Sequence, residues 1–231
     1  MTIPAKQINC ITCNKRSSCF NELNEADHRF IEQNRLEISY KKGEVICKQG
    51  SFASNIMFIY QGMVKTYIEA PNKNHVVLNI LPKGHMIGLP SLFTNYVFQN
   101  SASALEDTII CSVDIRVFEE YTKSNGQFAS EIIKLLNRCT INNYERFISI
   151  GNKNLNGRFA SAIIMLVEHV YFSNKFNMSL SRTELAELTA MSPESVTRII
   201  STFNKEKIIK VSGKSYEILN MNLLKKISDN G

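Results

Sequence analysis

The spacing of apolar and polar positions changes character twice along the chain. Between Glu37 and Ile115, short runs of β-branched and aromatic residues alternate with glycines. This alternation is typical of antiparallel strands joined by tight turns, and it predicts an all-β barrel or roll. The segment Pro71–Asn74 is a candidate hairpin turn within this region. The predicted strands cover residues 44–47, 56–60, 63–69, 75–81, 101–104 and 108–113.

Helical periodicity precedes and follows this β region. A short helix is predicted to begin near Asn24. A long helix is predicted from about Gln127 to Asn152, because its seam residues recur at alternating steps of three and four, as in a coiled coil. A solitary helix cannot bury such a stripe, so we expect a parallel homodimer, with packing against the β region as the alternative. The seam residues are Ala129, Ile132, Leu136, Thr140, Asn143, Phe147 and Ile150.

The last third of the chain is predicted to contain three helices followed by a β-hairpin. Ser181 and Glu184 have the spacing of a capping box, which predicts the start of a short helix. Ser192 followed by Pro193 predicts the start of the next helix, because serine is a preferred N-cap and proline is favoured at the first helical position. Two short strands around the turn at Ser212–Lys214 complete a winged helix-turn-helix.

The second helix of such a unit enters the DNA major groove with its N-terminus first. Glu194, Thr197 and Arg198 are predicted to share its exposed side. A guanidinium can make a bidentate contact with guanine, a carboxylate can accept from a cytosine amino group, and a threonine can touch a thymine methyl group. Ser195 and Lys214 are better placed for phosphate contacts. An amphipathic helix with a surface Glu–Arg pair is the alternative, but the complete series of elements favours double-stranded DNA as the partner.

Charge and composition agree with a DNA partner. The 231 residues carry a net charge of +6, and residues 152–231 hold 11 Lys/Arg against 7 Asp/Glu, which favours a polyanion. No apolar run is long enough to cross a membrane, and the N-terminus lacks the apolar core of a secretory signal, so we expect a cytoplasmic protein with no membrane partner. We expect no enzymatic activity, because the common phosphate-binding, hydrolase, metalloprotease and dinucleotide-binding motifs do not occur.

The cysteines indicate a second kind of chemistry. Cys10, Cys13 and Cys19 form a C-x₂-C-x₅-C pattern in a polar segment. In a reducing compartment such thiols are more often free or metal-bound than paired in disulfides. Three thiolates can surround one metal centre, but a fourth ligand is then required, and zinc binding, thiol redox chemistry and no metal all stay open. The candidates for the fourth ligand are Cys47, Cys111 and Cys139.

The order of a β-roll, a long helix and a winged helix-turn-helix resembles the CRP/FNR transcription regulators over essentially the whole chain. The family's recognition pattern, Glu-x-x-Ser/Thr-Arg, is matched by Glu194, Thr197 and Arg198. The resemblance implies an α+β fold with an N-terminal antiparallel β-roll of the cyclic-nucleotide-binding type. It also implies a homodimer on a two-fold symmetric operator with TTGAT-like half-sites, and RNA polymerase as a further partner. Segments similar to the glycine turns of the family's roll are Lys42–Gly50, Met57–Gly62 and Pro82–Gly84.

The expected domains follow from this resemblance. They are a cysteine-rich arm at 1–20, a β-roll sensor domain at 21–123, a dimerisation helix at 124–152 and a winged helix-turn-helix domain at 153–231. Cyclic-nucleotide-binding members carry a glutamate for the ribose and an arginine for the phosphate. The corresponding stretches here, Gly88–Ser91 and Asn100–Ser101, contain neither charge. Cyclic AMP is therefore not expected, because its phosphate would lose water without gaining a cation.

The spacing of the arm cysteines resembles that of the oxygen-sensing FNR branch of the family. The stretch Ala104–Cys111 is similar to the strand on which that branch places its fourth ligand. The resemblance implies a [4Fe–4S] cluster held by Cys10, Cys13, Cys19 and Cys111. DNA binding would then respond to oxygen or redox state. The alternatives are a regulator of the same fold with another effector, zinc or thiol chemistry, and, in a different functional class, an iron–sulfur electron-transfer protein.

Overall fold

The computed structural model describes residues 9–69 and 75–231, which fall into two compact units. The first unit contains the described residues up to Glu69 together with Leu81–Thr140, and the second contains those from His75 to Ile80 together with Ile141–Gly231. The hairpin turn predicted at Pro71–Asn74 lies outside the described residues. No helix in the described part of the chain has the length and hydrophobicity that a membrane span needs.

The first unit is built around an antiparallel β-roll, as the sequence predicts. One sheet has the strand order β1-β8-β3-β6, and β2, β7 and β4 lie in that order in the other. Apolar side chains such as Ile59, Val64 and Ile110 are fully buried within the roll. The strands of the first unit are β1 (Arg35–Tyr40), β2 (Val45–Cys47), β3 (Asn55–Gln61), β4 (Met63–Glu69), β6 (Met86–Ile87), β7 (Ser101–Ala104) and β8 (Thr108–Asp114). Strand β5 (His75–Pro82) lies in the second unit up to Ile80.

Strand β1 was not predicted, and it determines the geometry of the cysteine region. The preceding helix, α1 (Glu25–Asn34), begins at the expected place, where Asn24 and Asp27 form a capping box. The chain then becomes extended at Arg35 and pairs with β8. In this register Glu37 lies opposite Cys111 and Arg35 lies opposite Val113. The pairing joins residues far apart in sequence, so the local pattern around Arg35 did not indicate it.

Beside the roll, helices form a second core rich in aromatic residues. A 3₁₀-helix (Ser18–Glu22), α2 (Ile115–Ser124) and the start of α3 (Gly126–Asn152) each contribute to it. The rings of Phe20 and Phe58 lie 4.6 Å apart, and those of Phe118 and Phe128 lie 5.2 Å apart, both pairs edge-to-face. Such contacts add to the free energy gained by burying the rings. A third edge-to-face pair, Phe20 and Phe128 at 6.2 Å, attaches the cysteine-containing segment to the long helix.

The long helix has the predicted length, but its predicted seam divides in two. Ile132 is only 2% exposed and lies in the aromatic-rich core, with Leu136 packed against it, so this half follows the alternative of packing within the chain. Ile132 is therefore removed from the expected dimer interface. Beyond Thr140, Ile150 of the predicted seam is half-buried, whereas four large apolar residues are exposed, and only Phe147 among them belongs to the seam. The four exposed residues are Ile141, Tyr144, Phe147 and Ile148.

The second unit contains the predicted winged helix-turn-helix. Ser181 and Glu184 form the capping box of α5, and Ser192 caps α6, which begins at Pro193. The last helix and the strand β9 were not predicted. A sheet with the order β10-β11-β9 forms the wing. The elements are α4 (Leu155–Met165), a π-helical turn (Leu166–Tyr171), β9 (Lys175–Asn177), α5 (Arg182–Thr189), α6 (Pro193–Lys205), β10 (Ile209–Ser212), β11 (Ser215–Ile218) and α7 (Met221–Asn230).

Candidate DNA interface and cysteine site

Helix α6 has one buried face and one exposed face, as its sequence pattern predicts. The buried side packs into the second unit and includes Val196 and Phe203, which are 0% and 2% exposed. Glu194, Thr197 and Arg198 are all exposed. The helix therefore presents a carboxylate, a hydroxyl and a guanidinium to solvent on its first two turns.

The first turn of α6 is fixed by short-range hydrogen bonds. The Oγ of Ser192 accepts from the backbone amide of Ser195 at 3.2 Å. The backbone amide of Glu194 itself, together with the Ser192 side chain, holds the pKa of the Glu194 carboxyl below its ordinary value, so this group stays an ionised acceptor. The hydroxyl of Thr197 donates to the carbonyl of Pro193 at 2.9 Å, so its proton is used within the helix.

The turn between α5 and α6 is held in place from both sides. Ala190 adopts a left-handed conformation with φ of 53°, and the amide of Met191 donates to the carbonyl of Ala186 at 3.0 Å. Arg158 of α4 contacts the carbonyl of Ala190 at 3.5 Å and donates from Nε to the carbonyl of Lys153 at 2.9 Å. These contacts fix where α6 begins relative to the rest of the unit.

The wing contains stacked aromatic rings and contacts the first turn of α5 through Arg182. Phe176 stacks on Tyr171 with ring centres 4.2 Å apart and on Tyr216 at 5.8 Å. The Arg182 guanidinium lies over the Tyr216 ring and donates to its hydroxyl, and burial lowers the pKa of Arg182. Lys214 is exposed at the tip of this wing. Sequence reasoning missed this stack, because its rings come from three separate segments.

A largely buried ion pair on β1, formed by Arg35 and Glu37, lies beside Cys111 in the cysteine region. Residues at alternate positions of a strand share a face, so Arg35 and Glu37 project on the same side as Cys111. Arg35 Nη1 lies 2.6 Å from Glu37 Oε1, and the two side chains are 6% and 14% exposed. The same Nη1 donates to Cys111 Sγ at 3.7 Å.

The segment with the first two cysteines is folded into turns. Asn9 Oδ1 accepts from the backbone amides of Ile11 and Thr12, at 2.9 Å and 3.2 Å. Arg16 donates to the carbonyl oxygens of Cys10 and Ile11, at 3.3 Å and 3.1 Å. These bonds direct the segment towards β1, where the Cys10 side chain is hydrogen-bonded to Arg35.

Three of the four expected ligands, Cys10, Cys13 and Cys111, lie in one region of the first unit without forming a metal-binding group among the described residues. Burial raises the pKa of Cys10 and raises that of Cys111 to about 12, and the neighbouring thiols add a smaller contribution in the same direction. Cys19 is fully buried in the adjoining core, against which Cys10 and Cys111 also pack, and burial raises its pKa to about 12. The other two cysteines lie elsewhere: Cys47 is buried in the roll and Cys139 is exposed on α3.

Two known domain families match the chain. The family described as Cyclic nucleotide-binding domain matches residues 37–125, and the family described as Crp-like helix-turn-helix domain matches residues 157–227. The chain belongs to the CRP/FNR family. It is a DNA-binding transcriptional regulator of this type.

Relatives are similar to this chain over most of its length. Electron transport regulator A of Shewanella oneidensis is 22% identical, over 96% of this chain and 91% of its own length. The Fumarate and nitrate reduction regulatory protein of Vibrio cholerae is 21% identical, over 92% of this chain and 87% of its own length. Among solved structures, FixK2 from Bradyrhizobium japonicum has a TM-score of 0.78 at 18% identity, covering 84% of this chain and 96% of that one. At this identity the likeness shows the fold alone.

The donor set of this CRP/FNR regulator fits a thiolate-bound metal centre in its chemistry. Cys19 lies in one hydrophobic core of the first unit and Cys10 and Cys111 pack against that core, and soft sulfur ligands suit iron–sulfur clusters and zinc. Within residues 9–69 and 75–231, no group of three or more Cys, His, Asp or Glu side chains is arranged to hold a metal ion. Cys19 is fully buried in the aromatic-rich core. The site is therefore chemically suitable but not preassembled.

In the roll of this CRP/FNR regulator, Ser101 of the stretch Asn100–Ser101 is hydrogen-bonded to a carboxylate of the chain itself. Ser101 Oγ donates to Glu69 Oε1 at 2.6 Å and accepts from the backbone amide of Gln49 at 2.9 Å. The backbone amide of Glu69 in turn donates to Gln49 Oε1 at 2.9 Å. The hydroxyl of Ser101 is thus engaged within the chain.

Proposed function

We propose that this CRP/FNR regulator binds a two-fold symmetric operator as a homodimer and that oxygen or cellular redox state controls this binding through a [4Fe–4S] cluster. The cluster ligands would be Cys10, Cys13, Cys19 and Cys111. The single observation that carries the DNA-binding part is the exposed row of Glu194, Thr197 and Arg198 on a capped helix with a buried opposite face. The control part is supported by the grouping of the cysteines beside α3.

Base readout would come from α6. Arg198 would make a bidentate contact with a guanine of a TTGAT-like half-site, and the ionised Glu194 would accept from a cytosine amino group. Ser195 and Lys214 would contact phosphates, which fix the register of the protein on DNA without selecting sequence. RNA polymerase would be the further partner of the DNA-bound regulator.

Dimerisation would use the second half of α3. Tyr144, Phe147 and Ile148 are 61%, 71% and 58% exposed, which is an unusual concentration of apolar surface on one helix. Their spacing of three and four matches a helix that packs along a copy of itself. Two copies would place two recognition helices on the two half-sites of one operator.

Control would pass from the cysteines to α3 through the aromatic-rich core. Cys19 is buried there beside Phe128 and Ile132 of α3, and Ser18 is hydrogen-bonded to Glu131 of the same helix. When bound, the cluster would supply an oxygen-sensitive link among the four thiolates. Recruitment of Cys19 would change what packs against the start of α3. A signal must separate the two states by several kcal/mol to switch occupancy, and repacking of a core can supply that difference.

The experiment is anaerobic purification followed by a visible absorption spectrum and assays of iron and acid-labile sulfide. We expect both elements in the wild-type protein and their loss in Cys13→Ser. Cys139→Ser is the matched control, because Cys139 lies apart from the cysteine site on the exposed surface of α3. Stoichiometric zinc without sulfide would instead identify the zinc alternative, and the absence of any metal would leave thiol chemistry or another effector.

A further inference from the structure

The largely buried ion pair of Arg35 and Glu37 has no role in the function proposed so far. Burying two charges costs free energy, which their attraction offsets only when the geometry is good. Replacing such a pair by apolar residues is often neutral or stabilising, so its presence is weak support for a purely structural role. Its position beside Cys111 suggests a role at the thiols.

Strand register fixes the direction of the Arg35 side chain. Glu37 lies directly opposite Cys111, and Arg35 lies one pair further along, opposite Val113. Arg35 therefore reaches Cys111 diagonally across two paired strands, a distance that long side chains cover. The 2.6 Å contact with Glu37 holds the guanidinium in place, and Nη1 is 3.7 Å from Cys111 Sγ.

The same guanidinium also contacts Cys10 of the cysteine-rich arm. The Cys10 side chain is hydrogen-bonded to Arg35, so one cation contacts thiols from two separate segments. Two other cations near the arm are engaged differently. Arg16 bonds to backbone carbonyls and to Asn21, and Lys15 lies over the ring of Tyr60 at 4.9 Å. The charge directed at the sulfur atoms is that of Arg35.

We propose that Arg35 is a positioning residue of the cysteine site: its guanidinium donates to the sulfur atoms of Cys10 and Cys111 and supplies positive charge to a metal centre held by four thiolates, while Glu37 fixes its direction. This inference rests on the proposed function in taking the thiols as metal ligands. A cluster or a zinc ion with four thiolates has a net negative charge. Hydrogen bonds to sulfur and nearby charge control the stability and reduction potential of such centres.

Removal of the positive charge has a defined consequence. A nearby cation stabilises the more negative, reduced form of a cluster, so its loss lowers the reduction potential and favours oxidation in air. Partners of metal ligands typically contribute about 10–100-fold to metal affinity. Arg35→Gln should therefore weaken metal binding by at least about tenfold and accelerate cluster loss in air by a similar factor.

The test compares full-length Arg35→Gln and Arg35→Lys with wild type and with Arg29→Gln. Arg29 is an exposed arginine that pairs with Glu25 on α1, so its variant removes the same charge without touching the thiols. Iron and sulfide content, the rate of loss of visible absorption in air and the reduction potential are measured after anaerobic preparation. Thermal unfolding of each metal-free variant checks folding. We expect Arg35→Gln to be the most affected, Arg35→Lys to be intermediate and Arg29→Gln to match wild type.

A cobalt(II) titration of the metal-free protein makes the outcome independent of the cluster. Thiolate-to-cobalt absorption reports affinity, and Arg35→Gln should bind about tenfold more weakly than Arg29→Gln. If wild type contains no iron or sulfide but this difference is seen, the cluster proposal fails and the role of Arg35 stands. If folded Arg35→Gln equals wild type in both cluster lability and cobalt affinity, or if wild type binds neither cluster nor cobalt through these thiols, the role of Arg35 is overturned.

Discussion

The DNA-facing side of α6 and the cysteine site differ in how far the folded chain assembles them. The expected base-reading groups of α6 are exposed, and the first turn of this helix is held by the side chain of Ser192, which accepts from the amide of Ser195. The cysteine site combines an N-terminal segment with strands β1 and β8, and one of its four expected ligands, Cys19, is buried in a core. A surface that reads DNA needs one arrangement, whereas a switch needs two. The difference is therefore the one expected between a DNA-binding surface and a regulatory site.

The largest expected effect comes from blocking dimerisation, which separates the two DNA-binding helices α6. Phe147→Glu should block dimerisation, because it places a charge in the exposed apolar row of α3. Loss of the second half-site should then reduce operator affinity by about 100-fold or more. Sedimentation and operator titration measure the two effects. Phe30→Glu, which alters another exposed phenylalanine on α1, is the control, and a stable Phe147→Glu dimer that binds operator would move the interface elsewhere.

Base readout by α6 is tested by Arg198→Ala. The loss of a bidentate guanine contact should cost about 1–3 kcal/mol on the cognate site and much less on unrelated DNA. Fluorescence anisotropy with both duplexes gives the two values. Equal losses on cognate and unrelated DNA would assign Arg198 to the phosphates instead.

The role of the N-cap in holding the first turn of α6 is tested by Ser192→Ala. Removing this N-cap should lower the free energy of unfolding by about 1 kcal/mol, because the amide of Ser195 loses its acceptor. Chemical denaturation measures the change. Ser201→Ala, on an exposed position later in the same helix, is the control. An unchanged stability for Ser192→Ala would show that the cap does not hold the first turn.

The smallest expected effect concerns Lys214 on the wing. Lys214→Ala should weaken binding to cognate and unrelated DNA alike and reduce the slope of log affinity against log salt by about one. Titrations at several salt concentrations measure the slope. A sequence-dependent loss would instead give this lysine a role in base readout.

The same contrast explains what the sequence could predict. The capping box of Ser181 and Glu184 spans four residues, and the start of α6 at Ser192–Pro193 spans two. Each signal is local, so the sequence pattern was enough to place α5 and α6. Strand β1 depends on pairing with β8, and Arg35 and Cys111 are 76 residues apart. Neither the strand nor the role of its arginine could be seen locally. Cys111 was chosen from a family resemblance, and its neighbours became visible only through the strand register.

The burial of Ile132 shows a further limit of sequence patterns. An apolar stripe on a helix indicates that something covers it, but not whether the cover is the same chain or a second copy. Here the first half of α3 is covered by the chain's own aromatic-rich core, while Phe147 in the second half is exposed. The distinction depends on which other elements of the folded chain pack against the helix. The periodicity of its own sequence carries no information about them.

We propose above all that the cysteine site controls the DNA-binding site. This control is tested most directly by measuring operator affinity of wild type and Cys13→Ser under nitrogen and again after exposure to air. We expect wild-type affinity to change strongly between the two conditions, whereas Cys13→Ser should have one affinity in both and Cys139→Ser should behave as wild type. If Cys13→Ser responds to air as wild type does, the cysteines do not control DNA binding, and the signal of this regulator lies elsewhere.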